Sequence, residues 1–224
     1  MPAGRLAFLR PFLFVLLMAL LVPVMVRGIN NLSDARYCAG MGADSLTFRL
    51  DPAFADYLTP EAMQELSGWV AGVQLIGEFD TLPVAEINAL VQQCGLQAVL
   101  LHRRRPADEL AQLTVPALKL TSWIPDMMPE DVDLRFREQA PHYQGFVLAT
   151  PPFPLPNAAA MLRLTEQART YTIWLGAGFA PDTLRTLADT VRPAGIVLQG
   201  GDEIKPGLRD FDEMEAVFEQ LETE

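Results

Sequence analysis

Residues 22–48 read VPVMVRGINNLSDARYCAGMGADSLTF, and this stretch decides the fold. Val22–Val26 is a short apolar run rich in β-branched residues that stops at Arg27-Gly28. A run of that length bounded by a turn signal reads as a buried strand. Leu32-Ser33-Asp34-Ala35 then opens a helix that glycine ends at Gly40, since glycine tolerates the backbone that closes a helix. Asp44–Leu50 follows as a second strand. Strand, helix and strand in so short a span form the βαβ unit of a parallel sheet.

The alternation continues outward to the C-terminus. Thr59-Pro60-Glu61 starts a second helix with a capping residue and a proline at the first helical position. Gly72–Phe79 is a third strand, Pro83–Cys94 a helix closed by Gly95, and Leu96–His102 a fourth strand. A weaker helix starts at Pro106, Val115–Thr121 is a fifth strand, and helical period is patchy through Pro129–Gln139. Gly145–Thr150, Tyr171–Leu175 and Gly195–Leu198 are the last strands, followed by helices over Asn157–Ala168, Pro181–Thr190 and Asp210–Leu221. Eight strands, each followed by a helical segment over about 200 residues, is the count of a single-domain α/β (β/α)₈ TIM barrel, covering 22–224. A doubly wound open sheet is the rival, but the first strand lacks the glycine-rich dinucleotide loop that such sheets use. The proline-rich PPFPLP at 151–156 falls in a βα loop, and no linker or second domain is visible.

Of the 224 residues half are apolar and a fifth are charged, enough to bury a sizeable core. Seventeen basic residues face 28 acidic ones, a net charge of −11. The first thirty residues hold Arg5, Arg10 and Arg27 and no acid, so the body of the chain is more acidic still. Such a body will not track a phosphate backbone, which argues against nucleic-acid binding. Cys38 and Cys94 form no CxxC and no ligand cluster. They fit a reducing, cytoplasmic compartment and imply neither a disulfide framework nor a metal site. No cofactor motif is present, and oligomeric state is not legible.

Residues 11–26, PFLFVLLMALLVPVMV, carry no charge and follow two arginines. Three readings stand for the apolar extension at 1–21: a start assigned too early, with translation truly beginning at Met18; a signal-like or membrane-anchoring segment through residues 7–21; or an extra helix. The sixteen uncharged residues fall short of the roughly 20 that span a bilayer. Val22–Val26 is moreover claimed by the first strand. The Met18 start is the reading this favours.

In a barrel of this kind functional groups come from the C-terminal ends of the strands and the loops after them. Those places hold Arg27, Arg49, Glu78, Asp80, His102 and Arg103-Arg104-Arg105, then Thr121, Thr150, Gly176-Ala177-Gly178 and Gln199-Gly200-Gly201. Strand alternation points Arg27, Arg49 and His102 inward. Two readings of this basic mouth remain open. The arginines hold an anionic ligand, with Arg27, Arg49 and His102 as candidates, or they pair with Glu78, Asp80, Asp51 or Asp56 in an internal charge network. His102 reads more readily as a hydrogen-bonded structural residue than as a catalyst. Glu78 and Asp80 read as surface-loop carboxylates, with a relocated acid as the alternative. Gly176, Gly178, Gly200 and Gly201 are candidates for holding a phosphate through backbone N–H groups, although Asp202-Glu203 beside the last pair opposes an incoming dianion.

The segment RGINNLSDARYCAGMGADSLTF at 27–48 resembles the opening of the phosphoribosylanthranilate isomerase family. Further anchors follow in order: Leu58-Thr59-Pro60-Glu61, Gly77-Glu78-Phe79, Gly95-Leu96-Gln97-Ala98-Val99, Leu101-His102, Pro116-Ala117-Leu118-Lys119, Leu175-Gly176-Ala177-Gly178-Phe179 and Lys205-Pro206-Gly207-Leu208-Arg209-Asp210. The resemblance runs from Val22 to the C-terminus. It implies a (β/α)₈ barrel and a role in tryptophan biosynthesis. It also implies a ring-opening rearrangement of an aminoaldose phosphate, for which the family uses a cysteine at the end of strand one and an aspartate on strand six. Those positions here are Arg27 and Ala149. The substrate-binding arginine after strand two aligns with Asp56, and PPFPLP replaces the glycine-rich phosphate loop after strand six. The expectation is therefore a barrel without catalytic residues for the isomerisation, binding an anionic metabolite or a protein partner. The alternative is an active isomerase or other sugar-phosphate enzyme with a relocated acid/base pair. Cys38 and Cys94, both on helices away from the mouth, read as packing residues.

Overall fold

Eight parallel strands hydrogen-bond in sequence order, and the first closes onto the last: β1 (Val24–Arg27), β2 (Ser45–Arg49), β3 (Gln74–Phe79), β4 (Ala98–Leu101), β5 (Ala117–Ser122), β6 (Gly145–Ala149), β7 (Ile173–Gly176) and β8 (Gly195–Gln199). The computed structural model describes residues 20–122, 129–149, 158–176, 181–200, 203–205, 208–209 and 212–222. Each strand leads to a helix: α1 (Leu32–Gly40), α2 (Pro60–Ser67), α3 (Val84–Cys94), α4 (Ala107–Leu110), α5 (Pro129–Gln139), α6 (Ala158–Thr170), α7 (Pro181–Val191) and α8 (Asp212–Leu221). The fold is a single (β/α)₈ barrel.

Local chemistry sets the helix ends. Asn31 caps α1, its side-chain oxygen accepting the Asp34 amide at 2.9 Å, and Thr59 caps α2 through the Ala62 amide at 3.2 Å. Gly95 closes α3 at φ 63°, the left-handed conformation glycine adopts without penalty. The helix expected from Pro106 is a single turn, and a short antiparallel pair, β9 (Glu203–Lys205) with β10 (Leu208–Arg209), precedes α8. That pair is too short for any hydrophobic period to announce it.

Alternation along the strands divides the core into two layers. Met25, Ile76, Leu100, Leu118, Val147 and Val197 fill the barrel interior, with Leu120 and Trp174 packed against them. The residues between them, such as Val24, Leu46, Phe48, Phe79, Val99 and Phe146, face the helices. Gly195 leaves room for the Trp174 ring, because a Cβ there would lie 2.3 Å from it.

The Leu21 amide donates to the Leu221 carbonyl at 2.7 Å, and Leu20 bridges Glu222. These two residues, assigned above to the extension, thus pair with the end of α8; residues 1–19 lie outside the described residues. Among the described residues no helix is long and apolar enough to cross a membrane. A chain beginning at Met18 retains every described contact. It should be folded and melt at the same temperature as the 224-residue form. Aggregation of the shorter chain, with the longer one partitioning into vesicles, would instead support an anchor.

Candidate functional site

The inward positions of β1, β2 and β3 end in polar residues. Two residues beyond the interior Met25 stands Arg27, two beyond Ser45 stands Thr47, and two beyond Ile76 stands Glu78. The same step takes Leu100 to His102, the first residue after β4. Four neighbouring strands therefore deliver their side chains to one point at the C-terminal rim.

Glu78 is the centre of that point. Its side chain is fully buried, and Arg27 grips it with two hydrogen bonds, Nε to Oε1 at 3.0 Å and Nη2 to Oε2 at 2.6 Å. The Thr47 hydroxyl donates to Oε1 and in turn accepts the Gly28 amide at 3.0 Å. His102 Nε2 lies 2.7 Å from Oε2. Burial alone would raise the Glu78 carboxyl. The His102 hydrogen bond, the Arg27 charge and its hydrogen bonds, and the Thr47 hydroxyl outweigh it and hold the group well below the usual carboxylate range. Glu78 is ionised and its oxygens are saturated with donors. A ring nitrogen that close to a carboxylate must carry its hydrogen, so His102 Nε2 is the protonated nitrogen. The 3.3 Å approach of Arg27 Nη2 to the same nitrogen is then two donors sharing one oxygen.

Glu78 was expected in a surface loop; it is instead an interior residue of β3. The signal was in the sequence, since Glu78 shares the parity of Ile76 on the same strand. A carboxylate forced into the barrel needs a cation in reach, and Arg27 supplies it.

The remaining basic groups are paired in the same manner. Arg49 Nη1 donates to Asp56, and its Nε lies 3.9 Å from Glu78 Oε2. Arg103 pairs with Asp80 at 3.1 Å, Arg104 with Glu138 at 3.3 Å, and Arg105 with Glu109 at 3.3 Å. The ion pairs expected of an internal charge network are present at Arg27, Arg49, Arg103, Arg104 and Arg105. Asp56, aligned above with the family's substrate-binding arginine, is Arg49's partner. Of the two arginines that reach Glu78, Arg49 is the more accessible, its side chain 20% exposed against 9% for Arg27.

Among the described residues Asp51 takes no arginine. Its carboxylate accepts the amides of Ala53 at 2.9 Å, Asp80 at 2.8 Å, Thr81 at 2.5 Å and Leu82 at 2.9 Å, tying the loop after β2 to the loop after β3. Burial would raise this carboxyl, but the four amides lower it to about 2. With a folded value below the unfolded one, its contribution is present above about pH 4 and is lost as pH falls toward 2. Asp51→Asn should cost roughly 2 kcal/mol at neutral pH and flatten the acid limb of the stability curve, read by urea melts across that window.

Lys119 holds the other side of the rim, its Nζ donating to the His102 carbonyl at 2.8 Å and to the Leu120 carbonyl. Burial lowers its pKa to about 8 against the opposing charge of Asp80. The His102 amide donates to the Phe79 carbonyl at 2.9 Å, and the Phe54 ring lies 4.8 Å from the imidazole.

The candidate phosphate glycines fare differently. Gly176 ends β7, and the Gly200 amide donates to the Arg27 carbonyl at 2.9 Å, so it is not offered to a ligand. Gly178, Gly201 and the 151–156 loop lie outside the described residues. Ala149 ends β6 two residues beyond the interior Val147 and brings no proton to the mouth. Cys38 and Cys94 are both buried, and burial raises the Cys94 thiol. Among the described residues no group of His, Cys, Asp and Glu is placed to hold a metal ion. A cavity of about 360 Å³ lies outside the mouth, between Arg104, Leu110, Gln139 and Tyr143, and contains none of the cluster.

No protein-family profile matches the chain. It is similar to the N-(5'-phosphoribosyl)anthranilate isomerase of Geobacter sulfurreducens, 27% identical over 204 residues, covering 85% of this chain and 93% of that protein. The enzyme of Gloeothece citriformis is 27% identical over 208 residues, with 88% and 93% covered. The phosphoribosylanthranilate isomerase structure from Thermus thermophilus superposes with a TM-score of 0.72 at 25% identity, over 89% of this chain and 98% of that one.

Proposed function

This chain belongs to the phosphoribosylanthranilate isomerase family, and we propose that its barrel has given up the isomerisation and keeps a mouth that binds a small anionic metabolite. The Arg27–Glu78 ion pair carries the reading. The family's rearrangement needs one group to protonate the ring oxygen and another to remove a carbon-bound proton. At the end of β1, where the family keeps a thiol, stands a guanidinium that stays charged at any working pH. It is also locked to a carboxylate. At the end of β6 stands Ala149. Glu78 does not serve as a relocated acid or base, because it holds no proton and has no lone pair to spare.

For the ligand, Arg49 is the more reachable of the two arginines at Glu78, and its partner Asp56 is exposed enough for an incoming anion to displace it. Arg27 contributes by fixing the floor on which Arg49 and His102 rest. Two thiols without a disulfide suit a cytoplasmic protein. The test is complementation: a tryptophan-requiring strain lacking the isomerase should stay tryptophan-dependent when it expresses this protein. Growth without tryptophan would overturn the proposal.

A further inference from the structure

We infer that the anion taken at the mouth carries a hydroxyl beside its charged group, as a 2-hydroxycarboxylate does, with Arg49 holding the charge and His102 Nδ1 accepting the hydroxyl proton. The inference rests on the anion reading above and names its ligand class. It starts from how His102 is held. The backbone is fixed on both sides, by the Phe79 carbonyl and by Lys119 Nζ. The ring is fixed by Glu78 at Nε2 and by the tilted Phe54 ring beside it. A neutral imidazole has one donor and one acceptor. Glu78 consumes the donor, so the acceptor is Nδ1. Among the described residues the hydrogen bonds of the ring are made at Nε2, and the side chain is 21% exposed. The ring is thus an oriented acceptor on a partly exposed side chain, and an acceptor calls for a ligand O–H or N–H.

Arg49 stands beside it. Its Nε approaches the same Glu78 oxygen that His102 binds, 3.9 Å against 2.7 Å, and its guanidinium lies 5.8 Å from the centre of the Phe54 ring that also packs on His102. Among the described residues Arg49 Nε is buried without a hydrogen-bond partner, so a ligand would meet the guanidinium from the side of Nη1, which pairs with the exposed Asp56. Donor and acceptor therefore sit side by side over one aromatic ring. A carboxylate alone would satisfy Arg49 and leave Nδ1 unused. A carboxylate with a vicinal hydroxyl satisfies both.

Lactate and propionate share a carbon skeleton and differ by that hydroxyl, so they are the probes. Each is titrated into the full-length ¹⁵N-labelled protein, at mildly alkaline pH, while the His102 ring nitrogens are followed by NMR. One enantiomer of lactate should bind roughly tenfold more tightly than propionate, the discrimination one added hydrogen bond gives, and should move the Nδ1 resonance while Nε2 stays protonated. His102→Phe keeps the packing on Phe54 and should bring lactate down to the propionate level. Arg49→Ala should weaken both. If that His102 variant does not fold, the parent's Nδ1 response decides. Equal binding of the two acids, or a lactate preference that survives His102→Phe, overturns the inference and leaves the anion reading standing. Absence of binding by either acid overturns both.

Discussion

Arg27→Ala will lower the stability of the protein by roughly 3–5 kcal/mol, the cost of abandoning a buried charge. The substitution does not merely delete a contact. It leaves Glu78, fully buried in the barrel interior, with Thr47 and His102 as its hydrogen-bond donors and the Arg49 guanidinium no nearer than 3.9 Å. For a chain of this length each kcal/mol moves the midpoint by roughly 2–4 °C, so the melting temperature should drop by about 6–20 °C. Sulfate or phosphate should not restore it, because the missing partner is an internal cation rather than an external anion. Replacing both partners, Arg27→Met with Glu78→Leu, removes charge and countercharge together and should bring stability back to within about 1–2 kcal/mol of the parent. Thermal and urea melts of the single and double variants supply the comparison. An Arg27→Ala protein within about 1 kcal/mol of the parent would show that Glu78 does not depend on it.

The barrel was legible because its signals are local. Short β-branched runs, the Thr59-Pro60 cap and the αL glycine at 95 act within a few residues, and the elements fall where those residues place them. Helix α5 runs over Pro129–Gln139 although its apolar period is weak, since barrel topology requires a helix between β5 and β6. The site was legible only in part. Strand parity announces that Arg27 and Arg49 turn inward. It does not announce that Arg27 will meet Glu78, because β1 and β3 are separated by β2 and the contact depends on barrel curvature. Asp51 shows the same limit. A loop aspartate in sequence, it proves to be the acceptor for three successive amides of the next loop, an arrangement with no one-dimensional signature.

The direct isomerase assay should show no turnover above the uncatalysed rate, and the deficit divides between two positions. A positioned acid or base contributes typically 10²–10⁴ in rate. On the proposed reading, with Arg27 and Ala149 at the ends of β1 and β6, neither contribution is available. What remains, binding and orientation, does not transfer protons. Turnover on the order of 1–10³ s⁻¹, ordinary for an enzyme, would overturn this reading. Restoring activity is the harder test, and the ion pair dictates its design. Arg27→Cys alone should fail for the reason that Arg27→Ala destabilises: it strands the Glu78 carboxylate, whose negative charge also opposes formation of a thiolate beside it. The thiol becomes usable only when Glu78 is made apolar at the same time. Ala149→Asp then places a carboxylate at the interior position two residues beyond Val147, across the mouth from β1. The triple variant Arg27→Cys, Glu78→Leu, Ala149→Asp should turn over measurably, by roughly 10² or more above either variant lacking one of the two restored groups. On the proposed reading the ion pair thus does more than fill the place where the family keeps its thiol, because while Glu78 stays in the barrel it opposes a thiolate base at the end of β1.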